Sequence, residues 1–190
     1  MWQAAWDDEG VDDGALIAAL RAGDRDAFGL LVERETSSVY RACLRILGRQ
    51  HDAEDVTQES FVAAYRGIRQ FRSEGSLRGW LLRIATRQCF RRLEQRRQTA
   101  DLGAIGDGLL VDTSAEPARV AVANEVRNDI RTAVSSLQDP YREVVALRFF
   151  ADMSLAEVAE ATGRPINTVK THLRRGLERL RPAIGAEVDR

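Results

Sequence analysis

The stretch from Ser154 to Arg181 constrains the fold of this chain more tightly than any other, because its signals define two short helices, the turn between them and the face each must bury. Ser154 followed by Glu157 is the capping-box pattern: the serine oxygen accepts from the third helical amide, and the glutamate carboxylate accepts from the cap N–H. Leu155, Val158 and Ala159 give that helix an apolar side. Thr162-Gly163-Arg164 closes it, with Gly163 free to take the positive φ that ends a helix. Pro165 then starts the next helix at a position where its missing N–H costs nothing. Ile166, Val169, Leu173, Leu177 and Leu180 follow at three- and four-residue steps and are predicted to form one buried face.

The other side of that second helix carries Asn167, Thr168, Thr171, Arg174 and Arg175. These side chains suit base edges: Asn pairs bidentately with adenine, Arg with guanine, and a threonine methyl meets thymine. Lys170, His172 and Arg179 lie toward the flanks and suit phosphates, which position a protein without carrying sequence information. Between Thr162 and Arg181 six Lys or Arg face a single acid, Glu178. Capping, turn, apolar face and charge together predict a helix-turn-helix that reads DNA, in preference to a basic solvated face on a helical hairpin.

The chain has 190 residues, 44% of them hydrophobic and 30% charged, which fits one medium or two small globular domains in the cytoplasm. No apolar run approaches the roughly 18 residues of a membrane span, so no membrane insertion is expected. The amino end begins with tryptophan and acids, and no secretion signal is visible. Cys43 and Cys89 lack CxxC spacing and fall in helical patterns, so both are expected as buried, reduced thiols. A net charge of -1 hides strong segregation. Residues 1–20 carry five acids and no base, residues 76–97 carry seven arginines against Glu94, and residues 98–118 carry four acids and no base. Basic faces therefore attract phosphate despite the neutral total.

Helical periodicity dominates and no strand pattern is convincing, so the expected fold is all-α: two small helical domains joined by a flexible acidic linker, the second containing the helix-turn-helix. Residues 1–12 read as a disordered acidic tail. In the first domain, 13–97, Asp13 caps a helix that stops near Gly23. Asp24 caps a longer one that turns Phe28, Leu31, Val32, Val39, Cys43, Ile46 and Leu47 inward and ends at Gly48. Asp52 is expected to cap a third, burying Ala53, Phe61, Ala64, Tyr65 and Ile68, and Ser76 a fourth reaching about Arg97. Residues 98–117 read as linker, able to span on the order of 65 Å when extended, and the second domain occupies 118–190. Two such domains could grip separated points on one DNA molecule.

Two further surfaces carry chemistry. On the third helix, beside Glu54, residues Asp55, Gln58, Glu59 and Val62 share the face opposite the buried one, an acidic patch with a small apolar spot that suits a basic partner. On the fourth, Leu77, Trp80, Leu81 and Ile84 form one apolar stripe and Leu82, Cys89 and Leu93 another, which wedges the helix between neighbours. Arg83, Arg87 and Arg91 line a third side, extended by Arg92, Arg96 and Arg97, and favour nucleic acid. Phe71 and Phe90 beside them suit stacking on unpaired bases. Catalytic patterns are missing: no nucleophile, metal cluster or phosphate cradle emerges from His51, His172 or the glycines at 103, 106 and 108, so neither catalysis, a metal nor a cofactor is expected.

With these residues in view the chain resembles the bacterial sigma factors of the extracytoplasmic-function (ECF) group, the small two-domain members of the sigma-70 family, over about residues 15–97 and 125–184. The segment Ala53-Glu54-Asp55-Val56-Thr57-Gln58-Glu59-Ser60-Phe61 resembles their core-polymerase-binding segment. Gly79-Trp80-Leu81 with Ile84-Ala85 resembles the start of their promoter-melting helix. Leu137, Pro140, Arg142-Glu143-Val144 and Leu147-Arg148, with Ser154, Glu157-Val158-Ala159, Gly163, Thr168-Val169-Lys170 and Leu173, resemble their second conserved domain. The resemblance implies a non-catalytic specificity subunit whose partners are core RNA polymerase, promoter DNA and, in some regulatory settings, an anti-sigma factor. It assigns polymerase docking to Glu54, Asp55, Gln58, Glu59 and Val62, and the -10 element to the 71–97 segment with Phe71, Arg72, Ser73, Arg83, Arg87, Phe90 and Arg91. The -35 element falls to Arg164, Asn167, Thr168, Lys170, Thr171, Arg174 and Arg175. The acidic linker would lie toward the RNA exit path. Members commonly carry asparagine seven and aspartate eleven residues after the tryptophan, where this chain has Arg87 and Arg91. The competing reading is a helix-turn-helix regulator acting without polymerase, which leaves residues 50–97 unexplained.

Overall fold

The computed structural model describes residues 13–71, 76–101 and 117–188, and among them every regular element is helical. The expectations placed on 1–12 and on 102–116 lie outside the described residues. Helix α1 spans Asp13–Ala22 and α2 Arg25–Leu47. The Asp24 carboxylate caps α2 by accepting from the amides of Asp26 (2.8 Å) and Ala27 (3.2 Å), and Gly48 ends it at φ 72°, both as the sequence predicts. Helix α3, Gln50–Gly67, starts earlier than expected. Arg49 holds the cap position without a side-chain cap, and Asp52 sits inside the first turn. Its carboxylate pairs instead with Arg92 (3.4 Å) and Arg96, where it still complements the helix dipole.

After a 3-10 turn at Ile68–Gln70, helix α4 opens behind Ser76, whose Oγ accepts from the Gly79 amide at 3.0 Å, and runs from Leu77 to Asp101. It passes the expected end at Arg97, so residues 98–101 of the expected linker are helical. The second unit comprises α5 (Pro117–Ser136), α6 (Tyr141–Phe149), α7 (Leu155–Thr162) and α8 (Ile166–Val188).

Helices α2, α3 and α4 pack on one another, with α1 and the 3-10 turn closing one end around Leu16, Leu20, Leu31, Ile68 and Phe71. The second unit does not stand apart. One core runs from Val39, Cys43 and Val56 through Leu81, Leu82 and Ala85 to Val144, Leu147, Met153 and Val158. Helix α4 is the wedge, touching α2 and α3 on one side and α6 and α7 on the other. Gly79 permits the close approach to α7: a Cβ there would stand 3.1 Å from the Ala161 Cβ and 3.2 Å from the Met153 Cε. Each fully buried Leu or Val along this core contributes on the order of 1.5–3 kcal/mol, so the contact between units is part of the apolar interior. Cys43 and Cys89 are free, fully buried thiols on α2 and α4 that contact one another, and burial pushes the Cys89 thiol well up.

Two buried faces differ from expectation. Tyr65 is 46% exposed, its ring meeting Phe28 edge-on at 4.9 Å, while Val56 takes the core position. On α8 the seam is the buried Val169, Gly176 and Leu180 with Leu173 half-buried among them, and Ile166 and Leu177 are exposed at its edges. The seam turns because Gly176 lies against α6, where a Cβ would stand 2.7 Å from Val145 Cγ2.

Candidate nucleic-acid interface

The helix-turn-helix forms from α7 and α8 by the local chemistry its sequence carries. The Glu157 amide donates to Ser154 Oγ (3.2 Å) and the Ser154 amide donates to Glu157 Oε2 (2.7 Å), closing the capping box. Hydrogen bonds from Ser154 hold the Glu157 carboxyl below its ordinary range. Gly163 ends α7 at φ 64° and frees the chain to turn into α8. Asn167, Lys170, Arg174 and Arg175 are exposed on α8, and Thr168 and Thr171 are half-buried beside them. Thr171 Oγ1 donates to the Asn167 carbonyl (2.9 Å) and Arg174 pairs with Glu178 (2.7 Å). Such exposed pairs contribute about 0–1 kcal/mol, so Arg174 is readily recruited elsewhere. His172 meets the Tyr141 ring edge-on at 5.6 Å, and the Arg179 guanidinium covers that ring at 4.0 Å. Burial and the charges of Arg164 and Arg175 push His172 down, so it is a neutral ring at pH 7 and not a phosphate cation.

On α3, Glu54, Gln58, Glu59 and Val62 are exposed and Asp55 is half-buried, gathered on one face as the periodicity predicts. The acids are already engaged. Gln50 donates to Glu54 (2.9 Å), Asp55 lies 3.6 Å from His51 Nδ1 and 3.7 Å from Arg92, and Glu59 accepts from Arg92 (2.7 Å) with Arg91 at 4.0 Å. A groove of about 930 Å³ is lined by this face together with Arg87, Arg91 and Arg92 of α4.

The side chains expected at the -10 element divide. Arg72 and Ser73 lie outside the described residues. Phe71 is buried against Trp80, ring centroids 5.2 Å apart, with its carbonyl accepting from Arg21. Phe90 is buried too, and the Arg142 guanidinium lies 5.2 Å from its ring. Neither ring is open to a base here, because each closes an apolar contact between helices. Arg91 is exposed and donates to Gln88 Oε1 (2.9 Å). Arg83 and Arg87 turn to the second unit. Arg83 Nε donates to Glu143 Oε1 (2.8 Å) and its Nη1 to the Ala161 carbonyl (3.1 Å), and Arg87 reaches the same Glu143 oxygen from Nε (3.1 Å) and Nη2 (2.9 Å). Arg164, expected on DNA, donates to Glu143 Oε2 at 2.6 Å.

Glu143 is the residue that sequence reading missed. It is 5% exposed on α6, next to the fully buried run Val144 to Leu147. Burial drives its carboxyl up, but the hydrogen bonds from Arg83 and Arg164 and the charges of Arg83 and Arg87 more than offset this and hold it below its ordinary range. The available signal was an acid inside a short helix whose every other central position is apolar. Among the described residues no group of His, Cys, Asp or Glu is placed to hold a metal ion, and no helix is long and apolar enough to cross a membrane.

The chain matches the family models for sigma-70 region 2 over residues 31–99 and sigma-70, region 4, over residues 127–180. It is 34% identical over 179 residues to the ECF RNA polymerase sigma factor SigW of Bacillus subtilis, covering 87% of this chain and 92% of that protein. It is 31% identical over 181 residues to the ECF RNA polymerase sigma-E factor of Haemophilus influenzae, covering 90% and 94%. Among solved structures, CnrH in complex with the cytosolic domain of CnrY aligns at a TM-score of 0.58 and 27% identity, over 92% of this chain and 98% of that one. The sigma factor RpoE of Bartonella quintana, solved with the anti-sigma factor NepR, shares the fold at a TM-score of 0.52 and 18% identity, over 84% and 98%.

Proposed function

Because the chain belongs to the sigma-70 family, in its extracytoplasmic-function group, it is a sigma factor, a non-catalytic specificity subunit of RNA polymerase, and we propose how its surfaces divide that work. The unit at 13–97 docks on core polymerase through Glu54, Asp55, Gln58, Glu59 and Val62 and holds the -10 element along α4. The unit at 118–190 sets α8 in the major groove of the -35 element, with Asn167, Lys170, Arg174 and Arg175 reaching bases and phosphates. The observation that carries this reading is the pairing, in one chain, of a capped helix-turn-helix whose second helix exposes base-reading side chains with an acidic helix face of separate location. A regulator that acted alone would need only the first. The likeness to CnrH, solved with a bound CnrY domain, supports a regulatory protein as a further partner.

Transcription by purified core polymerase supplemented with this protein, on a library of genomic fragments, tests the reading. Specific starts are expected with the wild type. The double variant Asp55→Arg, Glu59→Arg is expected to lose core association in a pull-down while still binding the promoter duplex that the wild type selects. Unchanged association with core would remove the docking assignment.

A further inference from the structure

We propose that Ile166, the first residue of α8, reads the 5-methyl group of a thymine in the -35 element, so that an apolar contact helps to set base preference there. This deepens the assignment of α8 to that element and rests on it. Ile166 is 42% exposed, where the apolar periodicity of α8 would bury it. A single exposed apolar side chain is ordinary on a protein surface. Its place sets this one apart. The N-terminal residues of a reading helix are those that reach base edges in the major groove, and the thymine methyl is the apolar group that those edges offer.

The surroundings of Ile166 suit a duplex better than an apolar protein surface. Asn167 beside it and Lys170 one turn on are both exposed. Leu177, also exposed on α8, stands about 16 Å away along the axis. The cationic Lys170 and Arg174 are exposed between them, so the two are separate apolar spots. The backbone under Ile166 is fixed. The Pro165 carbonyl accepts from the Thr168 (2.9 Å) and Val169 (3.1 Å) amides, and the fully buried Val169 roots the same turn in the core. A β-branched side chain in a helix keeps essentially one χ1 rotamer, so the Ile166 methyls are presented with little freedom left to lose. The Asn167 amide suits an adenine edge. Together the two side chains predict a -35 element with adenine and thymine at neighbouring base pairs under the N-terminal end of α8.

Holoenzyme assembled from core polymerase and the full chain tests the contact on the promoter duplex that it selects. Each thymine of the -35 element is replaced in turn by uracil, which keeps every hydrogen-bonding group and lacks only the 5-methyl. At one position the wild type is expected to lose affinity about fourfold, the effect of removing one buried methyl. Ile166→Ser should bind thymine and uracil equally at that position, and Ile166→Val should keep the preference. The serine variant also accounts for any effect of uracil on duplex shape, which would persist without Ile166. An element without thymine, a wild type indifferent to uracil at every position, or an undiminished preference in Ile166→Ser overturns the methyl contact and leaves α8 on the -35 element. Affinity unchanged when the whole -35 element is scrambled overturns the assignment of α8 itself.

Discussion

At the scale of single residues, Gly176 decides how the DNA-reading helix is seated. A methyl group there would stand 2.7 Å from Val145 Cγ2, and Val145 is β-branched, 2% exposed and unable to swing aside cheaply. Overpacking of this sort costs about 1–3 kcal/mol, while alanine regains about 1 kcal/mol of helix propensity over glycine. Gly176→Ala is therefore expected to lower the stability of the full chain by up to about 2 kcal/mol, measured by equilibrium denaturation. A stability equal to the wild type would mean that α6 and α8 part easily. Hydrophobic periodicity could not find this position, because a glycine contributes nothing to an apolar pattern. It assigned the face to Ile166 and Leu177 instead, and both are exposed.

At the scale of elements, α8 is a reading head on a fixed mount. Val169 and Leu180 anchor it in the core, α7 sets its entry through the capping box, and Arg175 projects from its exposed side. Arg175→Ala is expected to cost about 1–3 kcal/mol on the cognate -35 site or to relax base preference there. A selection experiment checks it, and an unaltered profile at unaltered affinity would argue against base readout. Helix α3 was equally legible in sequence, since its acids recur at three- and four-residue steps. Their partners were not: Arg92 and Arg96 reach Asp52, Asp55 and Glu59 from more than thirty residues away along the chain. Local spacing reveals which side chains share a helix face, but not which distant helix lies across from it.

At the scale of the whole molecule, the ionisable groups that the fold holds below their ordinary pKa give stability a direction in pH. Glu143 and Glu157 are both held below the ordinary glutamate range. The stability each contributes is fully present above the unfolded value of about 4.3 and is lost as pH falls through the lower folded value. His172, pushed down by burial and neighbouring arginines, adds a loss that begins below about pH 6.5. Denaturation across a pH series is expected to give stability that declines gently below about 6.5 and more steeply below about 4.3. Glu143→Gln should remove part of the steep phase, and a slope identical to the wild type would mean that Glu143 is not ionised in the fold.

The sequence by itself determined the helices, most of their caps, the helix-turn-helix and the family, because capping, glycine stops and 3.6-residue periodicity are interactions between residues a few positions apart. It also placed the acidic face of α3 and the exposed bases of α8 for the same reason. Only the tertiary structure decided that α4 lies between the two units, that Phe71 and Phe90 close apolar contacts, and that Glu143 gathers Arg83, Arg87 and Arg164. Those outcomes depend on which helix packs against which, and the partners of a buried charge are set by packing between residues some twenty to sixty positions apart.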